Sequence, residues 1–360
     1  MDKHAPVDRR SDLDASEHGI GDSGGKRPRL DYYELARRLG APFVDDNPPW
    51  TQYNRNVRSI EKRLRLDFFW ASKIAKKVRQ EGYDTVISLS ERVGIPLAHA
   101  LDRSVKHITL SHKPLSRYKL AAVKAFGTFV HWNVLLTFSM AEAEELRRAF
   151  GSDDEHVRPI SWGVDTEYFQ PSGMALQPYD PPHILSMGVS NRDYPTLIEA
   201  MRRIPHVNCH ICPTSAWEPS LGALAGEKLP PNVIIKSYDH PLVIRQAYER
   251  CQFAVVPMQS TNQWSAGCTS VLQPQAMGKP VVATKLPGLA EYVIGGETGL
   301  LVNCGDPAAM AKAIDSLWSD ADKTAAMGAR ARQWVSTSRS LNGTLDQLTA
   351  IVHEIGSKSV

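Results

Sequence analysis

The stretch from Gln263 to Thr284 has residue types that suit the binding of a phosphate group. Ser265 and Gly267 are small and stand at the start of a run with helical character, followed by Cys268 and Thr269. The N-terminus of a helix offers free backbone N–H groups and a partial positive charge, and small side chains let an anion reach that backbone. On this pattern alone two interpretations stay open, a phosphate site or an ordinary strand-to-helix turn without a ligand.

Three further polar residues stand where ligand contacts are expected. Gln273 lies two turns into the same helix, where its amide can hydrogen-bond a ribose hydroxyl. His112 follows the apolar run Val105–Ser111, and Glu91 follows the run before it. The C-terminal ends of parallel strands face the ligand crevice, which favours a substrate contact for His112 and, for Glu91, a contact with the substrate that accepts a transferred group. A structural histidine and a helix-capping acid are the alternatives.

Apolar runs and helical runs alternate along the chain, and this alternation must position those residues. It favours an α/β fold with parallel sheets and helices on both faces. The strand-like runs are 83–89, 105–111, 134–138, 183–189, 207–212, 233–237, 253–257, 280–284 and 300–302. The helical runs are 31–39, 54–80, 141–150, 195–203, 241–250, 267–277, 307–317 and 341–355.

A polar, proline-rich stretch, Gln170–Pro182, separates the two groups of runs and is the best linker candidate in the chain. It predicts two Rossmann-like domains facing a cleft. We expect a disordered tail at 1–30, because that stretch has almost no core-forming residues. The first domain is then expected at 31–170 and the second at 171–340. The last helix, within 341–360, is expected to pack back across the hinge.

Several segments, in their order along the chain, carry a resemblance to a known family. They are Ile160–Phe169, Ser186–Ala200, Phe253–Pro257, Ala276–Thr284, Pro287–Leu289 with Glu291, and Gly295–Val302. These segments are similar to the interdomain crossing and the donor half of family 4 glycosyltransferases. The resemblance implies the GT-B architecture and transfer of a sugar from a nucleoside-diphosphate sugar to an acceptor hydroxyl, with retention of configuration. It implies no required cofactor besides the donor substrate and no metal site.

The resemblance also implies roles for individual positions. Arg192 matches the basic residue that neutralises the donor diphosphate, a task for which a guanidinium fork is suited; a solvated surface arginine is the alternative. The backbone of 267–269 matches the loop that holds the diphosphate. His112 matches a histidine that hydrogen-bonds the donor sugar near the reacting carbon. The two glutamates that the family carries around this helix fall on Ser265 and Gln273, so the expected acids are altered.

The start of the chain departs from the family. These enzymes open with an apolar strand and a glycine-rich loop, and nothing strand-like precedes Asp31 in this sequence. We therefore expect a GT-B fold whose first N-terminal strand is missing.

Composition narrows the protein class. Hydrophobic residues make up 42% and charged residues 22% of the chain, and the net charge of +3 is too small to indicate a nucleic-acid partner. Five scattered cysteines indicate a reducing compartment. No apolar run of about 18 residues and no apolar leader occur, so a cytoplasmic protein without a membrane-spanning helix is expected.

Basic residues are concentrated between 55 and 79, with aromatic and aliphatic residues interleaved. A basic amphipathic helix can lie on an anionic membrane, which would suit peripheral attachment and a lipid acceptor. An outer helix with a solvated Lys/Arg face is the alternative. The acceptor itself, whether small molecule, glycan or lipid, cannot be read from these residues.

Three functions are consistent with these observations. The first is a glycosyltransferase. The second is a non-catalytic relative that binds a nucleotide or a glycan, or a partner subunit, which the altered glutamates favour. The third is a sugar-nucleotide epimerase with the same architecture.

Overall fold

The computed structural model describes residues 27–44, 59, 61, 63–112, 117–153, 155–173, 180–213, 228–238, 240–261, 263 and 265–357. Within this part of the chain the strands form two parallel sheets. Most of their strand residues are buried, as expected for parallel sheets that are covered on both faces, although polar residues such as Lys106, Arg158 and His210 occur within the strands. The α/β class and the GT-B arrangement predicted from the sequence are confirmed.

The first sheet has the strand order β1-β2-β3-β4. Its elements, in chain order, are α1 (Asp31–Leu39), α2 (Phe68–Glu81), β1 (Thr85–Ser88), α3 (Glu91–Ala100), β2 (Lys106–Leu110), α4 (Arg117–Ala125), β3 (Val134–Thr137), α5 (Met140–Phe150) and β4 (Val157–Pro159). Among the described residues no strand precedes Thr85, and the chain enters this half through a helix.

The second sheet has the order β10-β9-β8-β5-β6-β7. Its elements are β5 (Ile184–Met187), α6 (Tyr194–Arg203), β6 (Cys209–Cys212), β7 (Val233–Ile235), α7 (Pro241–Arg250), β8 (Ala254–Val256), α8 (Cys268–Ala276), β9 (Val281–Thr284), β10 (Gly299–Val302), α9 (Pro307–Trp318), α10 (Ala321–Ser338) and α11 (Leu341–Ser357). The strand order reverses between β5 and β8, and ligands bind at such switch points, outside the carboxyl ends of the strands.

The last helix packs on the first sheet rather than on the second. Leu341, Leu345 and Leu348 of α11 lie in one apolar cluster with Ile108 and Leu110 of β2. The chain therefore returns to the first half after completing the second sheet. The domain boundaries at 30, 170 and 340 stay predictions, and residues 174–179 of the predicted linker lie outside the described part.

Two predicted segments are only partly described. Arg29, near the end of the 1–30 stretch, pairs with buried Asp165 at 2.8 Å, and the disorder expected for that stretch stays a prediction. The helical stretch predicted over 54–80 is broken near Arg65, which has a positive φ of 53°, and a new helix begins at Phe68. Residues 45–58 lie outside the described part.

Helices α3, α4 and α10 and strand β4 have no counterpart among the predicted elements. The buried face of α10 is built from small or polar residues such as Thr324, Gly328 and Ala331, so its apolar period is weak. Gly328 lies against the turn at Gly278, and a Cβ on it would stand 2.0 Å from the carbonyl oxygen of Gly278. This close approach depends on the packing of α10 against the turn, so the sequence of neither element reveals it.

The basic stretch is an outer helix in its described part. Ala71, Ala75 and Val78 of α2 are buried, whereas Lys73, Lys76 and Arg79 are exposed. None of the helices described is long and apolar enough to span a bilayer.

Candidate functional site

The polar residues at the carboxyl ends of several strands meet along one crevice between the two sheets. Glu91 follows β1, His112 follows β2 and Glu142 follows β3 in the first half. In the second half Arg192 follows β5, and the loop after β8 leads into α8. Hydrogen bonds join the two edges directly, from Gln263 to His112 and from Ser265 to Glu142.

Arg192 is a buried cation whose hydrogen-bond partners in the described part are all neutral. Its Nε donates to the carbonyl of Met187 at 3.0 Å, and Nη1 donates to the carbonyl of Ser190 at 3.0 Å and contacts Met258 Sδ at 2.9 Å. Its Nη2 donates to Ser270 Oγ at 2.6 Å. Burial lowers the pKa of Arg192, yet a guanidinium stays charged near neutral pH. A buried charge without a counter-charge is costly unless an anion arrives.

Two glycines make room for this guanidinium. Gly188 has a φ of 111°, and a Cβ on it would lie 2.4 Å from Arg192 Nη2. Gly267 has a φ of 90°, and its Cβ would lie 3.4 Å from Arg192 Nη1 and 3.2 Å from Met258 Sδ. The positive φ values alone already disfavour other residues. Glycine at both positions therefore leaves space for the guanidinium group on two sides.

The start of α8 lies beside Arg192. Gly267 is the N-cap residue and no side chain caps this end; the N–H of Cys268 donates to the carbonyl of Ser265 at 3.2 Å, and the helix N-terminus carries a partial positive charge. Ser270, in the first turn, contacts the guanidinium, and Thr269 is exposed. Cys268 is half-buried, and burial raises the pKa of its thiol to about 12. Together, Arg192 and the first turn of α8 form what we call the cationic cradle.

The two positions that carry altered acids have different surroundings. Ser265 is buried, and both its N–H and its Oγ donate to Glu142 Oε1, at 3.3 Å and 2.9 Å. Gln273 is half-buried on α8, two turns beyond the cradle. Ser265 is therefore hydrogen-bonded to a glutamate of the other half, whereas Gln273 lies on α8 as predicted from the sequence.

His112 is exposed at the crevice, and its ring lies 4.9 Å from that of Phe138. Its backbone N–H donates to Glu91 Oε2 at 3.2 Å, and its carbonyl accepts a bond from Gln263 Nε2 at 3.3 Å. The backbone of this residue is thus held from both halves while its ring faces solvent.

Glu91 is buried and faces its own half of the molecule. Besides the His112 amide it meets Lys119 Nζ at 3.4 Å, and burial lowers the pKa of that lysine. The cap of α3 is Ser90, whose side chain accepts the N–H of Arg92. Glu91 lies in the first turn of this helix and supports the loop that carries His112. Both carboxylate oxygens are engaged within the first half, and the acceptor contact expected for Glu91 stays a prediction.

The sequence assigned no role in the site to two carboxylates that are important to this geometry. Glu142 binds Ser265 from the first half, and Glu291 of the second half accepts the backbone N–H groups of Met140 and Ala141 at 3.0 and 3.1 Å. The available signals were the Ser139-x-x-Glu142 spacing after an apolar strand, which is a capping pattern, and the place of Glu291 in a resembling segment. Neither signal names a partner in the other half.

The predicted site residues therefore fall into two groups. Arg192, Gly267 and Cys268 come together in the cradle, with Thr269 at its exposed rim. His112 and Glu91 lie across the crevice and are joined to the second half through Gln263. No group of three or more metal-binding side chains occurs among the described residues.

Two family models match the chain. The model for Glycosyltransferase Family 4 matches residues 31–168, and the model for Glycosyl transferases group 1 matches residues 176–334. Two curated relatives share the name D-inositol 3-phosphate glycosyltransferase. The one from Acidothermus cellulolyticus is 26% identical, with 83% of this chain and 79% of the relative covered. The one from Xylanimonas cellulosilytica is 27% identical, with 68% and 63% covered.

Solved structures agree with the fold. A glycosyltransferase from Rickettsia africae superposes with a TM-score of 0.69 at 19% identity, covering 91% of this chain and 88% of that one. HepE from Anabaena, in complex with UDP and glucose, superposes with a TM-score of 0.66 at 17% identity, covering 79% and 81%. The two family matches span most of the chain and meet at the predicted linker. The chain is a glycosyltransferase of the GT-B fold, and each of its halves matches a glycosyltransferase family model.

Proposed function

We propose that this enzyme transfers a sugar from a nucleoside-diphosphate sugar to an acceptor hydroxyl, with retention of configuration. The observation that carries the proposal is the cationic cradle: a buried arginine with neutral partners beside an uncapped helix N-terminus. Such a site matches a diphosphate, which brings negative charge and several acceptor oxygens.

The cradle also suits the chemistry of transfer. When the bond between the sugar and the diphosphate breaks, negative charge grows on the leaving diphosphate oxygen. Arg192 and the N–H groups of α8 are held in place before the reaction, so they stabilise that charge without reorganising. Because Arg192 is buried, water screens its charge little.

The names of similar proteins suggest the first substrates to try. HepE structures contain UDP with glucose, which makes UDP-glucose the first donor, and the curated relatives make D-inositol 3-phosphate the first acceptor. GDP- and ADP-sugars, simple alcohols, glycans and lipid acceptors complete the panel, since the base, sugar and acceptor are open in this chain.

The test begins with binding. Thermal shifts with UDP, GDP, ADP and their sugars should show stabilisation of the wild type by one nucleotide series, and this shift should vanish in Arg192→Ala. Arg203→Ala is the control, because Arg203 is exposed at the end of α6 and pairs only with Glu199 among the described residues. An unchanged shift in Arg192→Ala would remove the cradle from the donor site.

Transfer is then measured with the nucleotide series that binds. The expected product is a glycoside with the anomeric configuration of the donor, identified by NMR. Nucleotide binding without transfer to any acceptor would support the non-catalytic alternative, and an altered sugar nucleotide without acceptor would identify an epimerase.

A further inference from the structure

Glu142 lies where the two halves of the enzyme touch, at the edge of the cationic cradle. Its residue is only 4% exposed, and its Oε1 accepts two hydrogen bonds from Ser265 of the other half. Hydrogen bonds to a carboxylate are stronger than bonds between neutral groups, and buried ones are less weakened by water. The contact therefore fixes Ser265 relative to the first sheet.

A helix-capping role accounts for only part of the hydrogen bonding of this carboxylate, which also receives bonds from Ser139 and Phe138 at the start of its own helix. Ser139 and Glu142 have the spacing of a capping box, and Ser139 Oγ does accept the N–H of Glu142 at 3.1 Å. In a capping box the glutamate side chain would return to the N-cap N–H of its own helix. Here its Oε1 is directed to Ser265, 123 residues further along the chain.

The same turn is held from the opposite direction. Glu291, from the second half, accepts the first two N–H groups of α5, and the hydroxyl of Tyr292 donates to the carbonyl of Phe138. Each half thus contributes one glutamate to the other at the first turn of α5. Glu291 accepts hydrogen bonds at the N-terminus of α5, whereas Glu142 extends from α5 to Ser265.

Ser265 is linked to the cradle by a short stretch of backbone. Its carbonyl accepts the N–H of Cys268 at 3.2 Å, and Gly267, the next residue but one, is the N-cap of α8. Displacing Ser265 must therefore move the first turn of α8, where Ser270 meets Arg192.

We propose that Glu142 is a positioning residue of the donor site, which holds the Ser265–Gly267 loop so that the cationic cradle has its binding geometry only when the two halves are closed on each other. The proposal rests on the proposed function, because it assigns Glu142 to the site that binds the donor diphosphate.

Four variants test it: Glu142→Ala, Glu142→Gln, Ser265→Ala and the double variant Glu142→Ala/Ser265→Ala. UDP affinity is measured by calorimetry, and hydrogen exchange is followed in 263–270. Glu142→Ala should weaken UDP binding roughly tenfold and speed exchange, as the loss of hydrogen bonds to a charged group predicts. Glu142→Gln should stay within about threefold of wild type, because the amide oxygen can still accept both bonds. The double variant should be no weaker than Glu142→Ala, since the two residues share one interaction.

The control is Glu145→Ala, an exposed glutamate on the same helix, which should match wild type in both measurements. Unchanged affinity and exchange in Glu142→Ala would overturn the proposal. So would a Glu142→Gln variant as weak as Glu142→Ala, since charge rather than loop position would then matter. If Glu142→Ala fails to fold, Ser265→Ala decides: it should weaken UDP binding about threefold, and wild-type affinity would overturn the proposal. A wild type that binds no nucleotide would instead refute the proposed function.

Discussion

The two halves of this enzyme present opposite chemistry at matching places. The second half offers a cation and a helix N-terminus at the carboxyl ends of β5 and β8, with Arg192 surrounded by neutral acceptors. The first half offers carboxylates at the carboxyl ends of β1 and β3, and both of these, Glu91 and Glu142, are buried. The second half thus carries a buried positive charge beside a helix N-terminus, while the acids of the first half accept backbone N–H groups.

The two acids of the first half each hold another residue in place through hydrogen bonds. Glu91 holds the backbone of His112, and Glu142 holds Ser265 across the crevice. Neither acid pairs with Arg192, whose positive charge stays available for a ligand. Neutralising the cation within the protein would have stabilised the empty site at the expense of anion binding.

Removing the cation is expected to have the largest effect. Arg192→Ala should weaken nucleoside-diphosphate binding by about a hundredfold, and Arg192→Lys by about tenfold, because lysine keeps the charge without the fork. Calorimetric titration with UDP, GDP or ADP measures both. Equal nucleotide affinity in Arg192→Lys and wild type would show that the second half needs only the positive charge, and not the fixed guanidinium fork, to bind a nucleotide.

Crowding the cation should come next. Gly188→Ala places a methyl group 2.4 Å from Arg192 Nη2 and forces alanine to a φ of 111°, so we expect roughly tenfold weaker nucleotide binding and a loss of about 1–3 kcal/mol in the free energy of unfolding. Gly151→Ala is the matched control, because Gly151 also has a positive φ and a Cβ there would meet nothing within 4 Å. It should lose stability, measured by urea unfolding, but retain nucleotide affinity. A similar loss of nucleotide affinity in both variants would show that the loss does not come from crowding of Arg192.

Removing the contact between Glu291 and the first turn of helix α5 should have a smaller effect. Glu291→Ala leaves two N–H groups of α5 without their carboxylate, and we expect about 1 kcal/mol less stability, in the range of a lost N-cap. Hydrogen exchange at Met140 and Ala141 should accelerate. Glu297→Ala, at a nearby exposed glutamate, is the control. Unchanged protection in Glu291→Ala would mean that the two halves are not joined at this turn in solution.

The smallest expected effect concerns pH. Burial raises the pKa of Glu142, while its bonds from Ser265 and Ser139 oppose that rise, and the thiol of Cys268 is the titratable group facing it from α8. A raised pKa favours the protonated folded state, so this contribution to stability is complete below the unfolded pKa and is lost as pH rises through the folded pKa. Glu142→Gln should therefore gain stability relative to wild type as pH increases from about 4 to 8. Parallel stability curves would show that Glu142 does not titrate in this range.

The sequence determined the fold and the cationic side of the site. The predicted apolar runs overlap nine of the ten described strands, because strands buried on both faces are predominantly apolar. Gly267 and the helix after it were recognisable, since a helix N-terminus and a small residue are local features. Arg192 was found through its position after a strand in a resembling segment.

Tertiary structure alone decided what the acids do. Glu142 and Ser265 are separated by 123 residues, and Glu291 lies 151 residues from Met140, so no local pattern joins them. The buried state of Arg192, the neutral character of its partners and the space left by Gly188 likewise appear only when β5, β8 and α8 are packed side by side. Periodicity in a chain reports which face of an element is buried, whereas the partner of a buried charge depends on which distant elements meet there.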